Sequence, residues 1–252
     1  MPRTDHTSEL DPLLYPWDPP EASGVIRGDD FLPLELAAGL DEALLAANVA
    51  PLEDRSLVVS IGSNASPDVM RRKFATCHQP VSPVLPLVRG QLHDIAVGHS
   101  AHVSRAGYIA AAPYLQLGEC TTVWVSWLDE GQLMALDETE PNYRRIELDA
   151  DACPLVLDGG ERPEAFSLYS SRWGVLTDGG PDKLPFLDQP ALFRHLAGSG
   201  AGDYDGGASV FDGPPDAVAE QLGLPSVQAW AKDWFSSAGL AGPAHFDGLF
   251  TE

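Results

Sequence analysis

The sequence predicts an α+β fold in which strands dominate the centre of the chain, at about residues 57–170, and helices flank that centre. Short apolar, β-branched runs, typical of buried strands, are concentrated in the centre. Apolar residues at helical spacing occur before and after it. Strands and helices do not alternate regularly, as they would around a parallel sheet. We therefore expect an N-terminal arm and helix packing on the core (1–55), a central domain (56–185) and a C-terminal helical extension (186–252).

The first part of the chain is predicted to be an extended arm followed by one helix. Residues 1–31 hold five prolines and many acidic residues. The arm nevertheless carries apolar and aromatic side chains that are unusual in a free tail, so we expect it to pack: Leu13, Leu14, Tyr15 and Trp17. Apolar residues then recur at helical spacing over residues 31–49, which predicts a helix there.

The centre begins with a buried strand at residues 57–61, which ends at Gly62. Ser66-Pro67-Asp68 then predicts a helix start, with a capping serine, proline in the first turn and an acidic residue beside it. That helix is expected to reach Phe74.

The remaining elements are predicted from the same signals. Asp129 is a candidate cap for a helix that runs to about Thr139. Residues 198–207 are glycine-rich and predict a loop. Further strands are expected at 84–88, 91–97, 108–112, 121–128, 143–148 and 165–169, and short helices at 190–196, 215–222 and 226–237.

Composition excludes several classes of function. A net charge of −22 disfavours binding to nucleic acid or to an anionic membrane surface, because like charges repel. No apolar run approaches the roughly 18 residues of a membrane helix, and residues 1–21 contain no signal-peptide core. The three cysteines are odd in number and form no Cys-x-x-Cys, so we expect reduced thiols, no thiolate zinc site and a cytoplasmic protein.

The segment Gly62-Ser63-Asn64-Ala65 has the physical properties of a ligand-binding loop. Glycine permits a sharp turn and close approach of a ligand, and backbone N–H groups ahead of a helix attract an anion or a polarised carbonyl. The side chains of Ser63 and Asn64 add hydrogen-bonding groups. The alternative is an ordinary strand-to-helix turn, in which these residue types are also common.

Glu140 is the candidate general base. Pro141 disfavours helical geometry at the residue before it, so the acidic helix should end at or before Glu140. A carboxylate at a helix C-terminus lies at the negative end of the helix dipole, and partial burial would raise its pKa further towards neutrality. The alternative is a solvated acid on an acidic surface.

Taken together, these segments resemble the γ-glutamylcyclotransferase-like superfamily over about residues 57–150. The resemblance is carried by a strand entering Gly62-Ser63-Asn64, then Leu136-Asp137 with Glu140, then Tyr143 with Arg145. It implies a small mixed β-barrel surrounded by helices, a small-molecule γ-glutamyl or related amide substrate, and a homodimer. It also implies that Glu140 acts as general acid and base in an amine-releasing cyclisation to 5-oxoproline. No metal or cofactor is implied, because the attacking nitrogen belongs to the substrate.

The same resemblance implies a set of substrate-binding residues: Ile61, Gly62, Ser63, Asn64, Ala65 and Tyr169. For Tyr169 the alternative is an aromatic residue that packs on a strand. The chain has Ile61 where the family commonly has tyrosine, and Pro141 where it commonly has glycine after the glutamate. These departures motivate a second hypothesis, a non-catalytic small-molecule-binding protein on the same fold.

Two further pairs have simpler explanations. His99 and His102 could bind a metal only on a helix, and they lie between two predicted strands without a carboxylate partner nearby. Trp230 and Trp234 are four residues apart and predict a helix that packs on the core.

Overall fold

The computed structural model describes residues 10–34, 39–200, 204 and 209–249. Within these residues the chain forms ten strands and six α-helices, which confirms the predicted α+β class. The strands are β1 (Gly24–Arg27), β2 (Asp30–Pro33), β3 (Ser56–Ser60), β4 (Val84–Val103), β5 (Ile109–Leu128), β6 (Tyr143–Asp149), β7 (Leu155–Leu157), β8 (Ala165–Ser171), β9 (Val175–Leu176) and β10 (Ala241–Gly242). The helices are α1 (Leu40–Ala46), α2 (Pro67–Ala75), α3 (Glu130–Thr139), α4 (Gln189–Gly198), α5 (Pro215–Leu222) and α6 (Pro225–Ser237).

All ten strands belong to one open sheet. Its main path is β10-β9-β4-β5-β3-β8-β6, with β1 and β7 also paired to β4, and β2 to β1. The β3–β8 pair is parallel. The end strands β10 and β6 do not pair in the described part of the chain, so the expected closed barrel is not found. One edge of β4 pairs with β5, while β1, β7 and β9 occupy parts of its other edge in succession, and β6 pairs with β8.

The strands β4 and β5 form one long hairpin, each arm spanning 20 residues. The sequence predicted four short strands here, because local polar and glycine residues interrupt the apolar pattern. The pairing instead continues across them, with register shifts between His93 and Ile95 and between His99 and Val103. Such irregularities bend a strand without ending it. His99 and His102 therefore lie within β4, not between strands as predicted.

The helix predicted at residues 31–49 is too long. Phe31 lies in β2, opposite Ile26 of β1, and the helix itself comprises only Leu40–Ala46. Pro33 accounts for part of the difference, because the residue before a proline favours extended geometry. Leu36, which contributed to the predicted pattern, lies outside the described residues, as does most of the loop predicted at 198–207.

The C-terminal helices pack against the turn end of the β4–β5 hairpin. Phe193, Leu222 and Phe235, one from each of the three helices, belong to the same buried cluster as Ile109 of β5. Gln189 anchors this contact, because its side-chain amide accepts from the backbone N of Ile109 at 2.7 Å and donates to its carbonyl oxygen at 3.0 Å. Trp230 and Trp234 stack with ring centroids 5.7 Å apart and pack on the cluster, as their spacing predicted.

No helix in the described ranges combines the length and apolar character needed to cross a membrane.

Candidate functional site

The loop that follows β3 has the strand-to-helix geometry expected from its sequence. Gly62 has φ +115°, and a Cβ at this position would lie 2.6 Å from the hydroxyl oxygen of Tyr15 and 3.1 Å from the Cβ of Ala111. A side chain would therefore be excluded both by conformation and by space. Ser63–Ala65 then makes one 3₁₀ turn before α2 begins at Pro67. Ser66 occupies the N-cap position, but its side chain makes no capping hydrogen bond, in contrast to the prediction.

The second predicted segment, at the end of α3, faces this loop. The helix starts with a capping box between Asp129 and Gln132 and ends at Thr139, with Glu140 at the C-cap, as Pro141 predicted. The Asn64 side chain donates from Nδ2 to Oε1 of Glu140 at 3.0 Å. The structure therefore brings together two residues that the sequence separates by 76 positions.

Lys73 is a third member of this group, and sequence reasoning missed it. Its Nζ donates to Glu140 Oε1 at 2.5 Å and to Asn64 Oδ1 at 2.7 Å. The three side chains thus form a closed ring of hydrogen bonds, with the Lys73 side chain 17% exposed and that of Glu140 11% exposed. Lys73 lies in the last turn of α2, where the helix dipole alone is enough to explain a basic side chain. A better signal is the i, i+3, i+4, i+7 spacing of the residues of α2 and its C-cap that line the cavity: Val69, Arg72, Lys73 and Thr76.

Asn64, Lys73 and Glu140 line a cavity of about 1000 Å³. Five of the predicted site residues line it: Ile61, Ser63, Asn64, Glu140 and Tyr169. The other two lie behind its wall. Gly62 is in contact with Tyr15, and Ala65 packs with Leu87 and Trp124. Further walls come from β5, from α5 and from residues 10–17 of the N-terminal arm.

Tyr169 is held in place by the other residues of the predicted motif. Its hydroxyl donates to Asp137 Oδ1 at 2.7 Å, and Arg145 donates from Nε and Nη2 to the two oxygens of Asp137 at 3.0 Å each. Burial, and then the Asp137 carboxylate, raise the pKa of Tyr169. The hydrogen bond with Asp137 likewise raises the pKa of Arg145. Asp137 and Arg145 therefore fix the position of Tyr169 and do not themselves reach into the cavity.

Three more tyrosines form an aromatic wall. Tyr143 donates to the carbonyl oxygen of Ala111 at 2.8 Å, while the hydroxyl oxygen of Tyr15 accepts from the backbone N–H of the same residue, also at 2.8 Å. Tyr15 stacks on Tyr108 with ring centroids 4.3 Å apart. Burial raises the pKa of all three phenols, that of Tyr108 to about 12. All three therefore stay protonated at neutral pH.

The two histidines of β4 do not form a ligand pair. His102 lines the cavity, and its Nδ1 lies 2.6 Å from Ser100 Oγ, whereas His99 Nε2 accepts from the backbone N–H of Leu187 at 2.9 Å. Burial lowers the pKa of each imidazole to about 4, so both are neutral at pH 7. Nowhere in the described ranges do three or more His, Cys, Asp or Glu side chains come together as a metal-ligand group.

No family model and no curated protein matches this chain. Solved structures with partial similarity include a protein named gamma-glutamyl cyclotransferase, at 12% identity and TM-score 0.38, covering 78% of this chain and 94% of that one. An uncharacterized human protein has 13% identity and TM-score 0.40, over 79% of this chain and 95% of its own. A protein from Arabidopsis thaliana has 16% identity and TM-score 0.37, over 56% and 82%. Similarity at this level does not define what the chain binds or does.

Proposed function

We propose that this protein is a γ-glutamylcyclotransferase-like enzyme that converts a γ-glutamyl or related amide to 5-oxoproline and releases an amine. One observation carries the proposal: Asn64 of the loop and Glu140 at the end of α3 are hydrogen bonded at 3.0 Å on the wall of a cavity of about 1000 Å³. A candidate general base thus lies beside a loop with the physical properties of a carbonyl-binding site.

The charges of Lys73 and Glu140 complement the charges on the α-carbon of the proposed substrate. A γ-glutamyl amide carries an α-ammonium and an α-carboxylate on the same carbon. Glu140 and Lys73 are adjacent and oppositely charged, so the ammonium can take the place of Lys73 at Glu140 while the carboxylate pairs with the Lys73 ammonium. This exchange leaves every charge paired, which matters because an unpaired charge in a largely buried site is costly.

The proposed reaction needs only proton transfers and one nucleophilic attack. Glu140 accepts a proton from the α-ammonium, and the resulting amine attacks the γ-carbonyl carbon to close a five-membered ring. The tetrahedral intermediate collapses, the bond from that carbon to the leaving nitrogen breaks, and Glu140 returns the proton to the leaving nitrogen. In the complete turnover two protons pass from the α-nitrogen to the leaving nitrogen, so the amine departs as an ammonium ion.

The test is mass-spectrometric detection of 5-oxoproline from a panel of γ-glutamyl amines. Glu140→Gln keeps the shape of the side chain but removes the base, so turnover should fall by at least about 100-fold. Glu138→Gln is the matched control, because its side chain lies two positions away and is 61% exposed. Turnover by Glu140→Gln equal to that of the control would exclude Glu140 as the base.

A second function is favoured by a different observation. Glu140 is already bound to both Lys73 and Asn64, and Ile61 contributes no hydroxyl to the cavity. The alternative is therefore a binding protein that holds a small amide or carboxylate without converting it. In a thermal-shift screen such a protein is stabilised by the ligand, which is afterwards recovered intact by mass spectrometry. Recovery of a cyclised or cleaved compound would contradict this alternative.

A further inference from the structure

Residues 10–17 of the N-terminal arm form one wall of the cavity. The segment is fixed by its own hydrogen bonds: Asp11 caps the short turn Pro12–Leu14 by accepting from the backbone N of Leu13 at 2.9 Å, and Trp17 Nε1 donates to the Asp11 carbonyl oxygen at 3.0 Å. Leu13 packs on the cluster formed by the C-terminal helices. The arm therefore has a defined conformation and a defined place against the site.

This conformation places the ring of Tyr15 deep in the wall. Tyr15 is only 4% exposed, stacks on Tyr108 and meets Trp17 edge-on with ring centroids 5.3 Å apart. Its hydroxyl lies against the loop, since the Cβ position of Gly62 would be 2.6 Å from it. The arm thus delivers a phenol hydroxyl to the loop that we expect to bind a carbonyl group.

The hydrogen bond at this hydroxyl has a defined direction. Its oxygen accepts from the backbone N–H of Ala111 at 2.8 Å. Tyr15 is the acceptor in this bond, so its own proton remains to be donated. Glu140 is close enough to raise the pKa of Tyr15 in addition to the larger effect of burial, which keeps the phenol protonated.

We propose that Tyr15 is a catalytic residue of this site, donating a hydrogen bond from its phenol to the γ-carbonyl oxygen of the substrate and to the oxyanion that forms on it. The backbone N–H of Ala111, which donates to its oxygen, polarises the O–H bond, because hydrogen bonds in a chain strengthen one another. The hydroxyl is also held in place before the substrate arrives, as an efficient oxyanion donor must be. The reaction part of this inference rests on the proposed function, whereas the hydrogen bond to a ligand carbonyl does not.

The decisive variant is Tyr15→Phe, which keeps the stacked ring and removes only the hydroxyl. Loss of one oxyanion donor typically lowers kcat by about 100-fold, and we expect that reduction with a much smaller change in KM. Tyr114→Phe is the matched control, because this buried tyrosine of β5 lies in a different apolar cluster. 3-Fluorotyrosine at position 15 retains the hydroxyl and should keep most of the activity, which separates the hydroxyl from the packing of the ring.

A binding measurement makes the inference independent of turnover. The lactam carbonyl of 5-oxoproline should accept the same hydrogen bond, so Tyr15→Phe should weaken its binding in calorimetry by about fivefold, as expected for one net hydrogen bond. If the wild type turns over substrate and Tyr15→Phe is equally active or faster, the inference fails and the proposed function stands. If the wild type only binds 5-oxoproline and the variant loses that affinity, the hydrogen bond from Tyr15 to a ligand carbonyl stands, and the proposed reaction fails together with the catalytic role of Tyr15. Absence of both turnover and binding would overturn both.

Discussion

The amide of Asn64 bridges two opposite charges: its Nδ2 donates to Glu140 at 3.0 Å, while its Oδ1 accepts from Lys73 at 2.7 Å. An asparagine can serve both partners at once because its amide carries a donor and an acceptor on the same carbon. The orientation of the glutamate carboxylate is therefore coupled to the loop that precedes α2.

Asn64→Leu should lower turnover without unfolding the protein. The variant removes both hydrogen bonds at similar volume, so Glu140 loses its alignment with the loop. Misplacement of a catalytic group by about 1 Å can cost around 100-fold in rate, and we expect a loss of that order in kcat/KM. Initial rates of 5-oxoproline release measure this directly, and an unchanged rate would show that the amide does not position the carboxylate.

Lys73→Met should lower both stability and substrate binding. The variant leaves Glu140 without its cation, and breaking a largely buried ion pair costs about 3 kcal/mol, or less here because both side chains retain some exposure. KM should rise most for substrates with a free α-carboxylate and least for their α-carboxamides. Arg71→Met in the same helix is the control, since Arg71 pairs with the exposed Asp68.

A double-mutant cycle sharpens this prediction. Lys73→Met combined with Glu140→Gln removes both charges together, so the double variant should unfold at a higher denaturant concentration than Lys73→Met alone. Additive free energies of unfolding in chemical denaturation would show that the two side chains do not interact.

Tyr169→Phe should affect stability more than activity. The variant deletes the hydroxyl that donates to Asp137, a loss of about 1 kcal/mol in the free energy of unfolding. The ring and its contact with the cavity remain, so kcat should change less than about threefold. A reduction in kcat like that expected for Tyr15→Phe would instead assign Tyr169 a direct contact with the reacting carbonyl.

Gly62→Ala should displace the arm, and the chain offers a close control. Gly62 and Gly160 both have positive φ, but an added Cβ at Gly160 meets nothing within 4 Å, whereas at Gly62 it meets the Tyr15 hydroxyl. Both variants carry backbone strain of about 1–3 kcal/mol. Only Gly62→Ala should also accelerate proteolytic cleavage within residues 10–17, measured by limited proteolysis. Equal cleavage in both variants would show that strain alone is responsible.

Stability should fall as the pH decreases through the weakly acidic range. The pKa values of His99 and His102 are about 4 in the folded protein, against an ordinary value of 6.5, so the unfolded chain binds protons first. Stability from these residues is therefore complete above pH 6.5 and is lost progressively between 6.5 and about 4, with a slope approaching ~2.7 kcal/mol per pH unit for two protons.

Denaturant unfolding across this range tests the pH prediction. A His102→Asn variant should reduce the slope by about one proton. A His102→Asn slope equal to that of the wild type would show that His102 is protonated in the folded protein at the same pH as in the unfolded chain.

Local signals in the sequence were sufficient to predict many of the helices and strands. The capping residues around Asp129, the β-branched run of β3 and the Pro67 helix start each act within a few positions, and the structure forms the corresponding elements. Pairing across long distances was not predictable in this way. The continuity of β4 and β5, and the occupation of the second edge of β4 by three strands, depend on partners far away in the chain.

In the candidate site, too, local signals predicted some residues, whereas others depend on long-range contacts. Glu140 and the loop were found because glycine, proline and acidic residues have strong local preferences. Lys73 and Tyr15 were missed as site residues because nothing near them in sequence distinguishes them from a helix-terminal lysine and an aromatic residue in an arm. Only the tertiary structure brings them to Glu140 and to Gly62.

The contact of Leu13 with the C-terminal helices has a consequence for the order in which the molecule is assembled. During synthesis the loop after β3 and the end of α3 leave the ribosome well before α4 and α5, against which the arm packs. Contacts between such distant segments form late, because a long loop must close first. A nascent chain therefore has its candidate base and loop before Tyr15 is fixed in the aromatic wall, and the site becomes complete only after α5 has been made.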